Sequence, residues 1–282
     1  MLHGPLPMGQ PPTDARAADR LARTPHRRSR PAGWQIRPMT GGLDPSTEQV
    51  VHRVWAERLG VAPRVLATPG PVAIDRPDLT AVVVVRHGET VAVAAPEAAL
   101  SRLTRLAAPE LLDVASLLAA LTPLRPSLLG AASLSFGDRR TLVPVPAVAA
   151  RAAPQSDVDA VVSRCSTEER DESGVLDVDM RWVVSGGGGE PAGVAGYEIW
   201  GDGLAHVGVA VAAGSRGQGV GSRVAAAAVK HAVGEGLVPQ WRCRLDNVAS
   251  ARTGERLGLV RLGDQLAIDL ARSDLEPTRA AG

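Results

Sequence analysis

Apolar residues recur along the chain with the period of helices and the period of strands in turn. From residue 46, Ser46-Thr47-Glu48-Gln49 has capping-box spacing, and Val50, Val51, Val54 and Trp55 follow on one face, which predicts a helix ended by Gly60. Two β-rich runs at 80–86 and 90–95, separated by His87-Gly88-Glu89, predict a hairpin. Prolines at 96 and 109 open helices over 96–106 and 109–121, because the missing N–H does no harm at the first helical position. A strand is expected over 128–136. Beyond an Ala/Pro-rich stretch, Ser156 caps a helix carrying Val158, Val161, Val162 and Cys165 at i, i+3, i+4 and i+7. Strands follow over 180–184, 192–200 and 204–211, then helix 221–233, strand 238–245, helix 248–257 and strand 260–270. The order α-β-β-β-α-β-α-β predicts an α/β fold with a mixed sheet flanked by helices.

Composition divides the chain further. Residues 1–44 hold seven Arg and three Asp among many Pro and Gly. Such a stretch buries too little apolar surface to offset the entropy of ordering it, so a disordered basic tail is expected. Residues 45–148 read as a smaller α/β domain with its own core and no chemical motif, 149–155 as a linker, 156–271 as the second domain and 272–282 as a tail. The second domain is where chemistry is expected.

Lys+Arg 31 against Asp+Glu 30 leaves a net charge of +1, so no overall field marks the chain for nucleic acid or an anionic membrane. The tail has one aromatic, Trp34, and no base-stacking pattern, which argues against a nucleic-acid arm. No apolar run approaches the roughly 18 residues of a membrane helix, and no apolar h-region follows Arg27-Arg28, so neither a membrane span nor a secretion signal is expected. Cys165 and Cys243, without a CxxC or a further Cys/His cluster, argue against a disulfide scaffold or a metal site and suit free thiols in a cytoplasm.

Arg216-Gly217-Gln218-Gly219-Val220-Gly221 lies between a strand ending at Val211 and an Ala-rich helix. Glycines let the backbone approach a diphosphate closely, successive N–H groups form a nest, and the helix N-terminus adds about half a positive charge. Arg216 supplies a charge-assisted contact. A dinucleotide fingerprint fails because residue 222 is Ser222, and a Walker A loop fails because Val220 follows Gly219.

The pattern that fits is R/Q-x-x-G-x-G, with Arg216, Gly219 and Gly221 in the fixed positions, and Asn247-x-x-Ser250 leads to Leu257-Gly258-Leu259 further on. In these two motifs the chain resembles the GNAT superfamily of N-acetyltransferases over about 156–271. The resemblance implies acetyl-CoA as acyl donor, no metal, and an acceptor that is a small-molecule or protein amine. It implies that strands 204–211 and 238–245 splay apart and that the pantetheine arm takes their free hydrogen bonds. By the same resemblance Val209, Ala210 and Val211 hold the pantetheine. Arg216, Gly217, Gln218, Gly219, Val220, Gly221 and Ser222 hold the pyrophosphate, and Asn247 faces the pantetheine or the sulfur. A homodimer is a further expectation.

Direct attack of an amine on the thioester requires a base, while the departing thiolate needs only modest help. The family's usual tyrosine acid falls at Gly254 here, and its usual glutamate falls at Ala205. The sole tyrosine, Tyr197, lies on an earlier strand. Glu198 and His206 are therefore the candidate catalytic residues, although strand alternation turns His206 away from the face of Ala205. Cys243 is a weaker candidate nucleophile, and the acidic cluster Glu168, Glu169, Asp171 and Glu172 either attracts a cationic amine or is a solvated helix end. Two functions are carried forward: an acetyl-CoA-dependent N-acyltransferase, and a catalytically weakened acyl-CoA-binding regulatory or sensor module.

Overall fold

The computed structural model describes residues 42–145, 150–178 and 180–271. Helix α1 (Pro45–Leu59) starts ahead of the expected capping box: Asp44 is the N-cap, its carboxylate accepting from the Ser46 amide at 3.0 Å, with proline in the first turn. An Asp-Pro pair wins because the aspartate oxygen satisfies an open N–H while proline presets the helical φ. Gly60, at φ 75°, ends the helix as expected. Leu43, assigned to the tail, is buried. The remainder of that tail, 1–41, and the tail 272–282 lie outside the described residues.

Strand β1 (Gly70–Asp75) was not expected; it is followed by β2 (Ala81–His87) and β3 (Thr90–Ala95), the anticipated hairpin. Helices α2 (Glu97–Leu103) and α3 (Val114–Ala120) are shorter than their patterns, and Asp113 rather than Pro109 caps α3. Strand β4 (Ser127–Phe136) closes the first segment. The expected linker contains a short strand, β5 (Arg151–Ala152), and Pro154 rather than Ser156 precedes α4 (Gln155–Val162). The acidic cluster forms a helix of its own, α5 (Thr167–Ser173), with a complete Ser166/Glu169 capping box. Strands β6 (Met180–Ser185), β7 (Pro191–Trp200) and β8 (Leu204–Val211) follow, then α6 (Val220–Gly234), β9 (Val238–Arg244), α7 (Val248–Arg256) and β10 (Val260–Asp269), close to the bounds read from periodicity.

The strands form one sheet in the order β1-β3-β2-β10-β4-β9-β8-β7-β6-β5. Pairs β1/β3 and β8/β9 are parallel and the others antiparallel. Strand β4 lies between β9 and β10, hydrogen-bonded to both, so the two segments interleave in the sheet. Alternation along β2 divides the core: Val83 and Val85 pack with α1, Val82 and Val84 with α2 and α3. On the second segment α6 covers one face and α4 the other. Among the described residues no helix is long and apolar enough to cross a membrane.

A buried polar relay joins α1 to the middle of this sheet. The Trp55 indole donates to Gln240 Oε1 at 2.8 Å, and Gln240 Nε2 lies 3.2 Å from His206 Nδ1. Gln240 is fully buried, so these bonds satisfy groups that would otherwise be stranded without water. His206 also stacks on Trp200 at 4.4 Å. A second imidazole pair lies nearby: His52 Nε2 is 2.8 Å from His87 Nδ1, and burial pushes His87 down to about 4, with His52 and Arg86 adding to the shift.

Replacing Gln240 with leucine strands the indole N–H, and urea unfolding is expected to show a loss of about 1–3 kcal/mol. His87 also generates a pH dependence. Its folded pKa lies below the ordinary value of 6.5, so the unfolded chain binds the extra proton. The stability it contributes is complete above pH 6.5 and drains as pH falls toward about 4. Within that window the slope should approach about 1.4 kcal/mol per pH unit for this group, and His87→Leu should flatten it in denaturant titrations at stepped pH.

Candidate functional site

Parallel pairing of β8 with β9 covers only Leu204↔Val238, Ala205↔Pro239 and His206↔Gln240. Past that rung the strands separate. The Ala212 amide donates to Ala192 on the β7 side, so alternation turns the backbone groups of Val207, Val209 and Val211 toward the gap. The relay of Gln240 and His206 sits on the last shared rung, which locates the opening.

The gap widens into a cleft of about 500 Å³ that runs from the last rung to the glycine loop. Val209, Ala210 and Val211 line it from β8, and Arg216, Gly217, Gly219, Val220, Gly221 and Ser222 from the loop and the start of α6. Gly217 and Gly219 have φ of 73° and 75°, a region where side chains are strained. A Cβ at Gly219 would meet nothing within 4 Å, and one at Gly221 would lie 3.4 Å from Val211. Gly219 is the N-cap of α6 and supplies no capping side chain, so the first amides of the helix are left for another acceptor. Gln218 does not line the cleft; its amide donates to the Gly214 carbonyl at 3.2 Å.

Arg216 is held in place from two sides, by Glu169 Oε2 at 2.8 Å and by the Val211 carbonyl at 3.2 Å. The Glu169 carboxyl is held below its ordinary range first by the Ser166 amide, with Arg216 adding to it against the effect of burial. Helix α5 therefore closes over the loop. It can approach β8 because residue 208 is glycine: a Cβ there would run into the Ser173 carbonyl. Asn247 bridges the two walls. Its Oδ1 caps α7 by accepting from the Ser250 amide at 3.0 Å, while Nδ2 donates to Glu172 Oε1 at 3.2 Å.

The structure brings together neither candidate base. Glu198 accepts from the Trp200 indole at 3.1 Å and is not in the cleft lining. His206 sits on the last rung and is not in the cleft lining, and burial, followed by Arg242 and Arg58, pushes it down to about 3. Neutral at ordinary pH, it accepts from Gln240 at Nδ1 and is a weak base. Tyr197 points under α6, its hydroxyl 2.9 Å from His231 Nδ1. Cys243 is buried, with Sγ 3.2 Å from Ser133 Oγ, and burial pushes its thiol up. The other cysteine, Cys165, does line the cleft, with its thiol pushed up by burial first.

Gly254 has a packing reason. The Trp241 indole lies against it, and a Cβ would sit 3.2 Å from Cδ1, so a larger residue requires Trp241 to move. The indole N–H instead donates to Ser250 Oγ at 3.1 Å, and both residues line the cleft. Ser173, Trp241 and Arg242 line the cleft without having been singled out, whereas Glu172 reaches it from the acidic cluster and Ser250 from the second motif. Alternation on β9 places Trp241 opposite Arg242, but only the sheet order reveals that both border an opening.

Residues 151–259 match the model of the Acetyltransferase (GNAT) family. Similar solved structures include an acetyltransferase of the GNAT family from Colwellia psychrerythraea, 15% identical with a TM-score of 0.42 over 51% of this chain and 57% of that one. A GCN5-related N-acetyltransferase from Kribbella flavida is 17% identical, TM-score 0.39, over 51% and 60% of the two chains. A GCN5-related N-acetyltransferase-like protein from Streptococcus suis is 14% identical, TM-score 0.45, over 79% and 99%. The chain thus spans less than two thirds of the first two of these. No curated protein matches it. The family match covers residues 151–259, less than half of the chain, and over that segment the chain is similar to a GNAT acetyltransferase domain.

Proposed function

We propose that the chain is an acetyl-CoA-dependent N-acyltransferase, acting in the cytoplasm on an amine by direct attack on the thioester. The observation that carries this reading is the continuity of two features in one cleft: a strand edge left unpaired after His206↔Gln240, and an uncapped helix start behind Gly217 and Gly219. An extended amide-bearing arm takes the free groups of Val209 and Val211 as an added strand would. A diphosphate suits the amides of α6 and the charge of Arg216.

In this reading the acceptor nitrogen attacks the acyl carbon, the C–S bond breaks as the C–N bond forms, and the thiolate leaves with its electron pair. The amine proton passes to a cleft base. Glu172 takes that role rather than Glu198 or His206, because it lines the cleft and its carboxylate is held toward the opening by Asn247. The departing thiolate is met by the hydroxyl of Ser250, which lines the cleft and whose oxygen accepts from Trp241.

Two variants test the placement. Gly219→Asp puts a carboxylate into open space at the helix start, at a φ that aspartate tolerates better than most residues. Calorimetry should register no heat with acetyl-CoA for the folded variant, and undiminished affinity would refute the site. Glu169→Gln removes the anion that competes for Arg216, and the same titration should show binding tightened by about two- to fivefold, the gain shrinking as salt is raised. Binding of acetyl-CoA without thiol release across an amine panel would favour the sensor function over catalysis.

A further inference from the structure

The β9 wall of the cleft carries a cation that the proposed donor does not use. Arg242 lies two residues beyond Gln240 on β9, on the same face of the strand, and lines the cleft. Its Nε donates to Gln265 Oε1 at 3.0 Å. Gln265 is itself buried, on β10. Among the described residues this is the arginine's one hydrogen bond, and no carboxylate lies within ion-pair distance of it. The partner is neutral, so it orients the guanidinium without quenching its charge. Both terminal nitrogens remain available as a planar fork.

The surroundings add positive potential. Arg58 of α1, its guanidinium 3.9 Å above the Trp200 ring, acts on Arg242 and on His206 alike. Opposing them is Glu172, whose field also reaches Arg242. The terminal nitrogens of Arg242 are open to the cleft, and the unpaired fork is the donor geometry that matches a carboxylate bidentately. A diphosphate at the glycine loop does not supply the missing anion. From the last rung the loop lies more than five residues along β8 and Arg242 two along β9, a separation of roughly 10 Å or more at about 3.3 Å per residue. The pantetheine arm between them carries no charge.

We propose that Arg242 is a carboxylate subsite and that the acyl acceptor is an amino-acid-type compound, whose amine points to Glu172 while its carboxylate sits in the Arg242 fork. This rests on the transferase reading and adds to it the chemical class of the acceptor.

The test uses the full chain and pairs of probes that share an amine: free amino acids and the corresponding amino-acid amides, with thiol release from acetyl-CoA as readout. The amides have the less basic amine and so the larger reactive fraction at neutral pH, which sets the comparison against the proposal. Acids should still exceed their amides in kcat/KM by about tenfold or more for the preferred side chain. Arg242→Gln should bring that ratio toward one, and Arg242→Lys should restore part of it. Amides matching or exceeding acids in the unaltered protein would overturn the subsite, and that result does not depend on any variant folding. If acetyl-CoA gives no heat at all, the transferase reading fails first. If it binds and nothing turns over, calorimetry of the same pairs in the presence of coenzyme A decides: heat from acids alone, lost in Arg242→Gln, upholds the subsite, and equal or absent heats refute it.

Discussion

One hydrogen-bonded relay fixes where the sheet stops being a sheet. Trp55, Gln240 and His206 lock α1, β9 and β8 at their last common rung, and the cleft opens on the far side of it. Gln240 is fully buried, so its amide must be matched at both ends or cost free energy. That requirement gives the rung a single geometry. A cleft formed by strands that merely frayed would have no fixed length, whereas this one begins at a defined pair and ends at a glycine turn.

The same relay explains why His206 is no base. The tautomer that accepts from Gln240 is the neutral one, and burial, with Arg242 and Arg58 adding to it, discourages the second proton. The histidine is thus spent on architecture. The ends of α5 and α7 meet across the gap through Glu172 and Asn247. These helices approach because two positions lack a side chain: Gly208 admits the end of α5, and Gly254 admits the indole of Trp241.

Much of this was legible in the sequence, and the exceptions share a cause. Periodicity places β2, β3, β8, β9 and α6 within a residue or two, because each buries a regular stripe. The motif around Gly219 is local and needs no tertiary information. By contrast β1, with alternating exposure and a glycine-proline start, has no continuous apolar run to announce it. Helix α5 is marked by a Ser166/Glu169 box in an acidic stretch, a signal present in the sequence but outweighed by its charge. The role of Arg242 depends on which strands are neighbours, and no spacing along the chain encodes that. Gly254 looked like a lost acid until the residue packed against it was known.

The insertion of β4 between β9 and β10 bears on how the molecule is made. As the polypeptide leaves the ribosome, β4 is complete more than a hundred residues before either of its neighbours exists. Until then both of its edges are open to any other extended segment, which is the circumstance that invites mispairing and aggregation. Pairings of such large sequence separation also make for slow assembly. Closure of the central sheet must therefore await β10, and the segment from α1 to β4 reaches its final state only after that strand has been made.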